Sequence, residues 1–181
     1  AESLDMPMGK PQRIRDPLHN LIAFDEKQFD QALWRVIQTP DFQRLRRIKQ
    51  LGFSELVYPG ATHTRFSHSL GVYHIAKRLL EIIRQKDESD YNSSFGRYAK
   101  AAALLHDIGH GPFSHAFEDV GKRLGFKLAK HEDVSDAVIR HRQIAAILDD
   151  EFGTGFSANV ADLIKSSGAS RGIYGAVVSS Q

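Results

Sequence analysis

From Tyr98 to Asp107 the chain reads Tyr-Ala-Lys-Ala-Ala-Ala-Leu-Leu-His-Asp, with Lys100 the only charge before the closing His-Asp pair. Alanine and leucine are strong helix formers, and a helix with no polar face must be buried rather than laid on a surface. Gly109 and Gly111 follow at once and break it. The chain must therefore pack other elements around this segment, and the segment's end carries an imidazole and a carboxylate into the interior.

The remaining sequence supplies those elements. Residues 1–13 are polar, include Pro7 and Pro11, and read as a loose lead-in to one domain over 14–181. Arg15 to Asn20 reads as a turn and Leu21 to Phe24 as a short strand. Phe29, Leu33, Val36 and Ile37 then recur at helical spacing. Thr39 caps a second helix that has Pro40 at its first position, Phe42, Leu45, Ile48 and Leu51 on its apolar side, and Gly52 at its end. After a loop at residues 57–60, a long helix opens near Ser67. His68 shares a stripe there with Val72, Ile75, Leu79, Ile82 and Ile83, which predicts that it faces inward. A polar connection over 86–94 leads to the apolar helix, and further helical stretches fall near 114–124, 132–150 and 157–166. Residues 166–170 read as loop and 173–178 as a short apolar segment. The expected fold is all-α, with at most a small β-hairpin near residues 18–24.

With 181 residues, 41% of them hydrophobic, the chain can bury a substantial core. Its formal net charge of +2 gives little reason to expect a polyanionic partner. The basic excess is local, in Arg44, Arg46, Arg47 and Lys49 and again in Arg140, His141 and Arg142. Such groups suit either phosphate contacts or a solvated helix face. They lack the interleaved aromatics of a nucleic-acid surface, so nucleic acid is at most a secondary partner. The absence of cysteine excludes disulfides and thiolate metal sites. No stretch approaches the roughly 20 apolar residues of a membrane span. The first residues show no basic–apolar–small signal pattern, so a cytoplasmic location with no membrane partner is the expectation.

Ten residues from His106 to His115 hold three of the nine histidines and an aspartate. Imidazole and carboxylate together suit a divalent transition ion such as Mn, Fe, Co, Ni or Zn. Adjacent residues on a helix point about 100° apart, so His106 and Asp107 share an ion more easily at a helix end, where Gly109 lets the backbone turn away. An inward-facing His68 on another helix can supply a third ligand. His115 lies three residues before Glu118 and shares a helix face with it. That pair is either an ordinary surface contact or an acid whose tautomer the carboxylate fixes. His110 and His131 also look chemical, whereas His19, His63, His74 and His141 read as structural or surface residues.

The strings from Asp16 to His19, Thr39 to Gly52, Tyr58 to Val72 and His106 to His115 resemble the HD-domain deoxynucleoside triphosphate triphosphohydrolases, the dGTPase-like group, over residues 14–120. A histidine followed some forty residues later by an adjacent His-Asp pair is that superfamily's ligand pattern. The resemblance implies an HD-domain helical bundle with a metal site between helices. It implies His68, His106 and Asp107 as metal ligands, His115, Glu118 and His131 as catalytic residues, and Gln50, Leu51, Arg65 and His110 as substrate-binding residues. Arg65 would meet the α-phosphate, and Gln50 and Leu51 the sugar. The implied reaction cleaves a dNTP to deoxynucleoside and tripolyphosphate, with a transition metal in the site and Mg on the triphosphate. It implies a homo-oligomer in the full-length protein, with an activating nucleotide at a subunit interface near Gln43 and Arg46; Gln38 departs from the carboxylate that would read guanine. The family's fourth ligand, an aspartate in a downstream Asp-rich motif, has no counterpart, because Asp133, Asp136, Asp149, Asp150 and Asp162 lack its surroundings. The chain is therefore expected to be a portion of a longer one. The alternatives are another HD-type phosphodiesterase or nucleotidase, with a second metal on His110, His115 or His131, and a non-catalytic nucleotide-binding regulatory module.

Overall fold

The computed structural model describes residues 11–179 apart from Glu26, Asp87, Asp90, Ser114, Arg142 and residues 166–171. Two strands, β1 (Gln12–Asp16) and β2 (Asn20–Phe24), form an antiparallel hairpin in register from Gln12–Phe24 to Asp16–Asn20. Asp16 makes the turn by accepting the Leu18 and His19 backbone N–H groups at 2.9 Å each. The strand begins at Gln12, inside the stretch expected to be lead-in; the rest of that stretch, residues 1–10, lies outside the described residues.

The helices are α1 (Lys27–Ile37), α2 (Pro40–Gln43), α3 (Arg65–Lys86), α4 (Ser93–Leu105), α5 (His115–Arg123), α6 (His131–His141), α7 (Gln143–Phe152), α8 (Phe156–Lys165) and α9 (Gly172–Ser179). The all-α reading with one small hairpin therefore holds. Asn92 caps α4, its side chain accepting from Ser94 N and Phe95 N at 3.0 and 3.1 Å. Ala99 and Ala101 through Leu105 are fully buried, and α4 packs against α3, α8 and α9. Burying a leucine contributes roughly 1.5–3 kcal/mol, so Leu104 and Leu105 alone anchor the end of α4 firmly. Asp30, wholly buried on α1, accepts from Tyr73 Oη at 2.5 Å and Lys77 Nζ at 3.0 Å, tying α1 to α3.

Two expected elements differ. The second helix does not run to Leu51: Thr39 caps a single α-turn as anticipated, followed by a 3-10 turn over Arg44–Arg47 and extended backbone at Ile48. The reason is a tertiary pairing. Lys49 bridges Thr64, Ile48 O accepts from Arg65 N at 2.8 Å, and Gln50 N donates to His63 O at 3.1 Å. Leu51 is consequently half exposed rather than in the core.

On α3 the buried residues include Phe66, Leu70, Tyr73, Ala76 and Leu80, a face turned from the stripe expected, although Val72 of that stripe is buried as well. Ile75, Leu79 and Ile82 are exposed, and His68 lies at the boundary of the two faces. Both stripes fit helical spacing, and Tyr73's bond to Asp30 together with α4 packing selects between them.

The basic group after Thr39 also disperses. Arg44 turns inward, Arg46 lies 3.6 Å over the Phe66 ring, and Lys49 pairs with Glu55 at 2.9 Å. Arg140 is held by Asp136 and Asp162, while Arg142 is outside the described residues. No helix among the described residues is long and apolar enough to cross a membrane.

Candidate metal centre

The end of α4 and the first turn of α3 bring together His106, Asp107 and His68, whose ligand atoms all lie within 4.8 Å of one another. His68 Nε2 is 3.7 Å from Asp107 Oδ2, and His106 Nε2 is 3.4 Å from Asp107 Oδ1. His106 Nδ1 lies 2.9 Å from the Ala103 carbonyl, an acceptor that puts its proton on Nδ1 and leaves the Nε2 lone pair toward the site. Burial lowers the His68 imidazole to about 4, helped by His106, Arg65 and His63 and opposed by Asp107, so it is neutral at pH 7. Burial alone would raise Asp107. The His110 hydrogen bond and the nearby His106 and Arg65 outweigh it and hold the carboxyl well below the usual range. Two imidazoles, each able to offer an Nε2 lone pair, and an ionised carboxylate are the donor set that a first-row divalent ion prefers, so these residues fit one.

Arg65, 3% exposed, donates to Asp107 Oδ2 at 2.6 Å and to Gln50 O at 3.4 Å. This residue, expected to meet a phosphate, thus braces the carboxylate and links Gln50 to the site. Leu51 stands beside them, half exposed. Phe53, two residues on, stacks on Phe113 at 4.5 Å and joins this segment to the loop before α5.

A second cluster surrounds Glu118, itself buried. Its Oε1 has three imidazole Nδ1 atoms around it: His131 at 2.6 Å, His115 at 3.5 Å and His110 at 3.8 Å. The carboxylate expected to serve His115 is therefore bonded first to His131. His115 is 73% exposed, whereas the His110 and His131 rings stack at 3.8 Å. Burial raises the Glu118 carboxyl, but the His131 hydrogen bond and the charges of His131, His115 and His110 bring it below its ordinary value. His110 Nε2 lies 3.3 Å from Asp107 Oδ1, and burial, opposed by Asp107, lowers its pKa. His110 Nδ1 is buried and makes no hydrogen bond among the described residues. His110 thus joins the two clusters. Their ligand atoms form two further metal-capable sets, Asp107–His110–His131 and His115–Glu118–His131.

Gly109 brings the clusters together by a different route from the one expected. Its φ is not positive, and His106 keeps helical angles. Instead, a Cβ on Gly109 would overlap the His131 carbonyl oxygen and the Ser135 nitrogen. The missing side chain lets the start of α6 approach and puts His131 on His110.

Sequence reasoning passed over Arg44 and Ser135, whose side chains reach the turn after α4. Neither carries a local signal, since an arginine in a basic group and a serine in a helix are ordinary. An open pocket of about 680 Å³ adjoins the centre through His68 and runs along Val72, Ile75 and Leu79 of α3, with Leu18, His19 and Val177 opposite.

Comparison with known proteins shows the family. The HD domain matches residues 65–169. The chain is 40% identical over 158 residues to the uncharacterized protein YwfO of Bacillus subtilis (strain 168), covering 87% of this chain and 34% of that protein. It is 47% identical over 106 residues to the deoxynucleoside triphosphate triphosphohydrolase SAMHD1 of Bos taurus, covering 58% of this chain and 17% of that one. The crystal structure of a phosphohydrolase from Bacteroides thetaiotaomicron VPI-5482 superposes with a TM-score of 0.65 at 33% identity, over 86% of this chain and 35% of that chain. The chain thus spans about a third of the length of its bacterial relative YwfO.

Proposed function

Because this chain belongs to the HD-domain family, we propose that it is a metal-dependent phosphohydrolase that cleaves a deoxynucleoside triphosphate to deoxynucleoside and tripolyphosphate. One observation carries the reading: the ligand atoms of His68, His106 and ionised Asp107 converge from two helices, beside an imidazole–carboxylate cluster that can move a proton. The similarity to the Bos taurus triphosphohydrolase supports the substrate class.

A divalent ion held by His68, His106 and Asp107 supplies Lewis-acid stabilisation of charge on a phosphoryl oxygen; Mn, Fe, Co, Ni or Zn suits the donors, with Mg on the triphosphate. Arg65, which braces Asp107, and His110, which lies 3.3 Å from it, stand on the α-phosphate side of the site. Gln50 and Leu51 flank the sugar. As a water oxygen bonds to the α-phosphorus and the bond from phosphorus to the 5′ oxygen breaks, His115, exposed with Glu118 behind it at 3.5 Å, delivers the proton to the departing 5′ oxygen. His131, bonded to Glu118, fixes that carboxylate's position and shares its charge. A homo-oligomer with an activating nucleotide near Gln43 and Arg46 belongs to the same proposal; Arg46 Nε already donates to Gln43 Oε1 at 2.8 Å.

The test is a panel of dNTPs with Mn²⁺, the phosphorus products being identified by ³¹P NMR. Tripolyphosphate with free deoxynucleoside is the expected outcome. The two additional metal-capable sets around His131 favour a second reading, an HD-type phosphodiesterase or nucleotidase with two ions. Pyrophosphate with a monophosphate, or orthophosphate alone, would select it. Nucleotide binding without turnover would leave a regulatory module.

A further inference from the structure

The five residues after α4, His106 to His110, carry both ligands of the His-Asp pair and His110, yet they form an open turn rather than a helix. A helix end leaves carbonyls without intrahelical partners, and buried ones must find others. Within the turn, Ile108 N donates to Leu105 O at 3.0 Å and His110 N to Asp107 O at 3.1 Å. Two side chains from elsewhere bind four further backbone groups. Arg44 donates Nη1 to His110 O at 2.6 Å and Nη2 to Ile108 O. Ser135 Oγ, fully buried on α6, accepts from Gly109 N at 2.9 Å and donates to His106 O at 3.2 Å. Four backbone groups in five residues are thus held by one guanidinium and one hydroxyl from opposite sides.

We propose that Arg44 and Ser135 are positioning residues that clamp the His106–His110 turn and thereby set the metal-binding geometry. The proposal rests on the reading of His68, His106 and Asp107 as ligands. Arg44 suits its role because a planar fork can engage two carbonyls two residues apart while its charge faces a helix C-terminus. A lysine would keep the charge and lose the fork. Ser135 suits its role because one hydroxyl both donates and accepts. If either grip is released, the Asp107 backbone can rotate, and the carboxylate then leaves the line between His68 and His106.

Co²⁺ is the probe, since its visible d–d bands report coordination geometry independently of activity. The parent chain, His68→Ala, Arg44→Lys and Ser135→Ala are each titrated with Co²⁺ by calorimetry and absorbance, with far-UV circular dichroism to confirm folding. Outer residues that orient ligands typically alter metal affinity about 10- to 100-fold. The expected result is that loss in both clamp variants, with shifted d–d bands and unchanged helicity. Parental affinity and bands in Arg44→Lys and Ser135→Ala, with binding lost in His68→Ala, would overturn the clamp and leave the metal site standing. Binding absent from the parent, or equal in His68→Ala, would overturn the site reading and the clamp with it. If Arg44→Lys does not fold, Ser135→Ala decides alone, because it removes a single oxygen.

Discussion

Asp107 is 4% exposed and faces Arg65, His68, His106 and His110 together, so its charge serves stability as well as ligation. Truncating one partner of a buried ion pair leaves the other charge desolvated and costs about 3–5 kcal/mol. Asp107→Ala should therefore lower stability by that order in urea denaturation even without metal; a loss below about 1 kcal/mol would show that Arg65 finds another partner. A second residue-scale expectation concerns His74, which packs 5.2 Å from His19. Burial, then His19, Arg78 and Lys77, lower its pKa from 6.5, with Asp16 opposing. The unfolded chain then binds more protons than the folded one just below pH 6.5, so this residue's contribution to stability falls as pH drops through that range. Urea midpoints for His74→Asn should decline less between pH 7.5 and 5.5 than those of the parent. Equal declines would refute the assignment.

At the scale of elements, the sequence signals were strongest where a segment depends on its own residues. Thr39 caps as expected, and its Oγ1 also donates to Val36 O at 2.7 Å. The helix it starts stops early because the Ile48–Gln50 backbone finds partners at His63, Thr64 and Arg65, a pairing no local pattern announces. Gly109 shows the same limit: a glycine after a helix suggests a bend, but only the path of α6 shows that the need is for closeness. Gly109→Ala should push α6 off the turn at about 1–3 kcal/mol of overpacking cost. The His131–Glu118 hydrogen bond should weaken with it. Urea melts and the His131 ring NMR shifts check both, and an unperturbed His131 would refute the close-approach account.

Over the whole molecule, three of the apolar residues left out of the core lie together along α3. Ile75, Leu79 and Ile82 are 44%, 38% and 48% exposed, and the pocket beside His68 runs along the first two. Contiguous apolar surface of this kind drives association. Sedimentation velocity should show the 181-residue chain self-associating as its concentration rises. Ile75→Glu with Leu79→Glu should suppress this without loss of helicity, and a parent chain monomeric at every concentration would contradict it.

The sequence by itself determined the helical class, the central apolar helix, the hairpin turn and the identity of the residues in both clusters. Periodicity, capping and residue chemistry are local, and they can be read along the chain. Tertiary structure decided which of two stripes of α3 is buried, that Arg65 braces Asp107, that Glu118 bonds His131 before His115, and that Arg44 and Ser135 grip the His-Asp turn. Each of these joins groups far apart in sequence, and their partners are chosen by how whole helices pack.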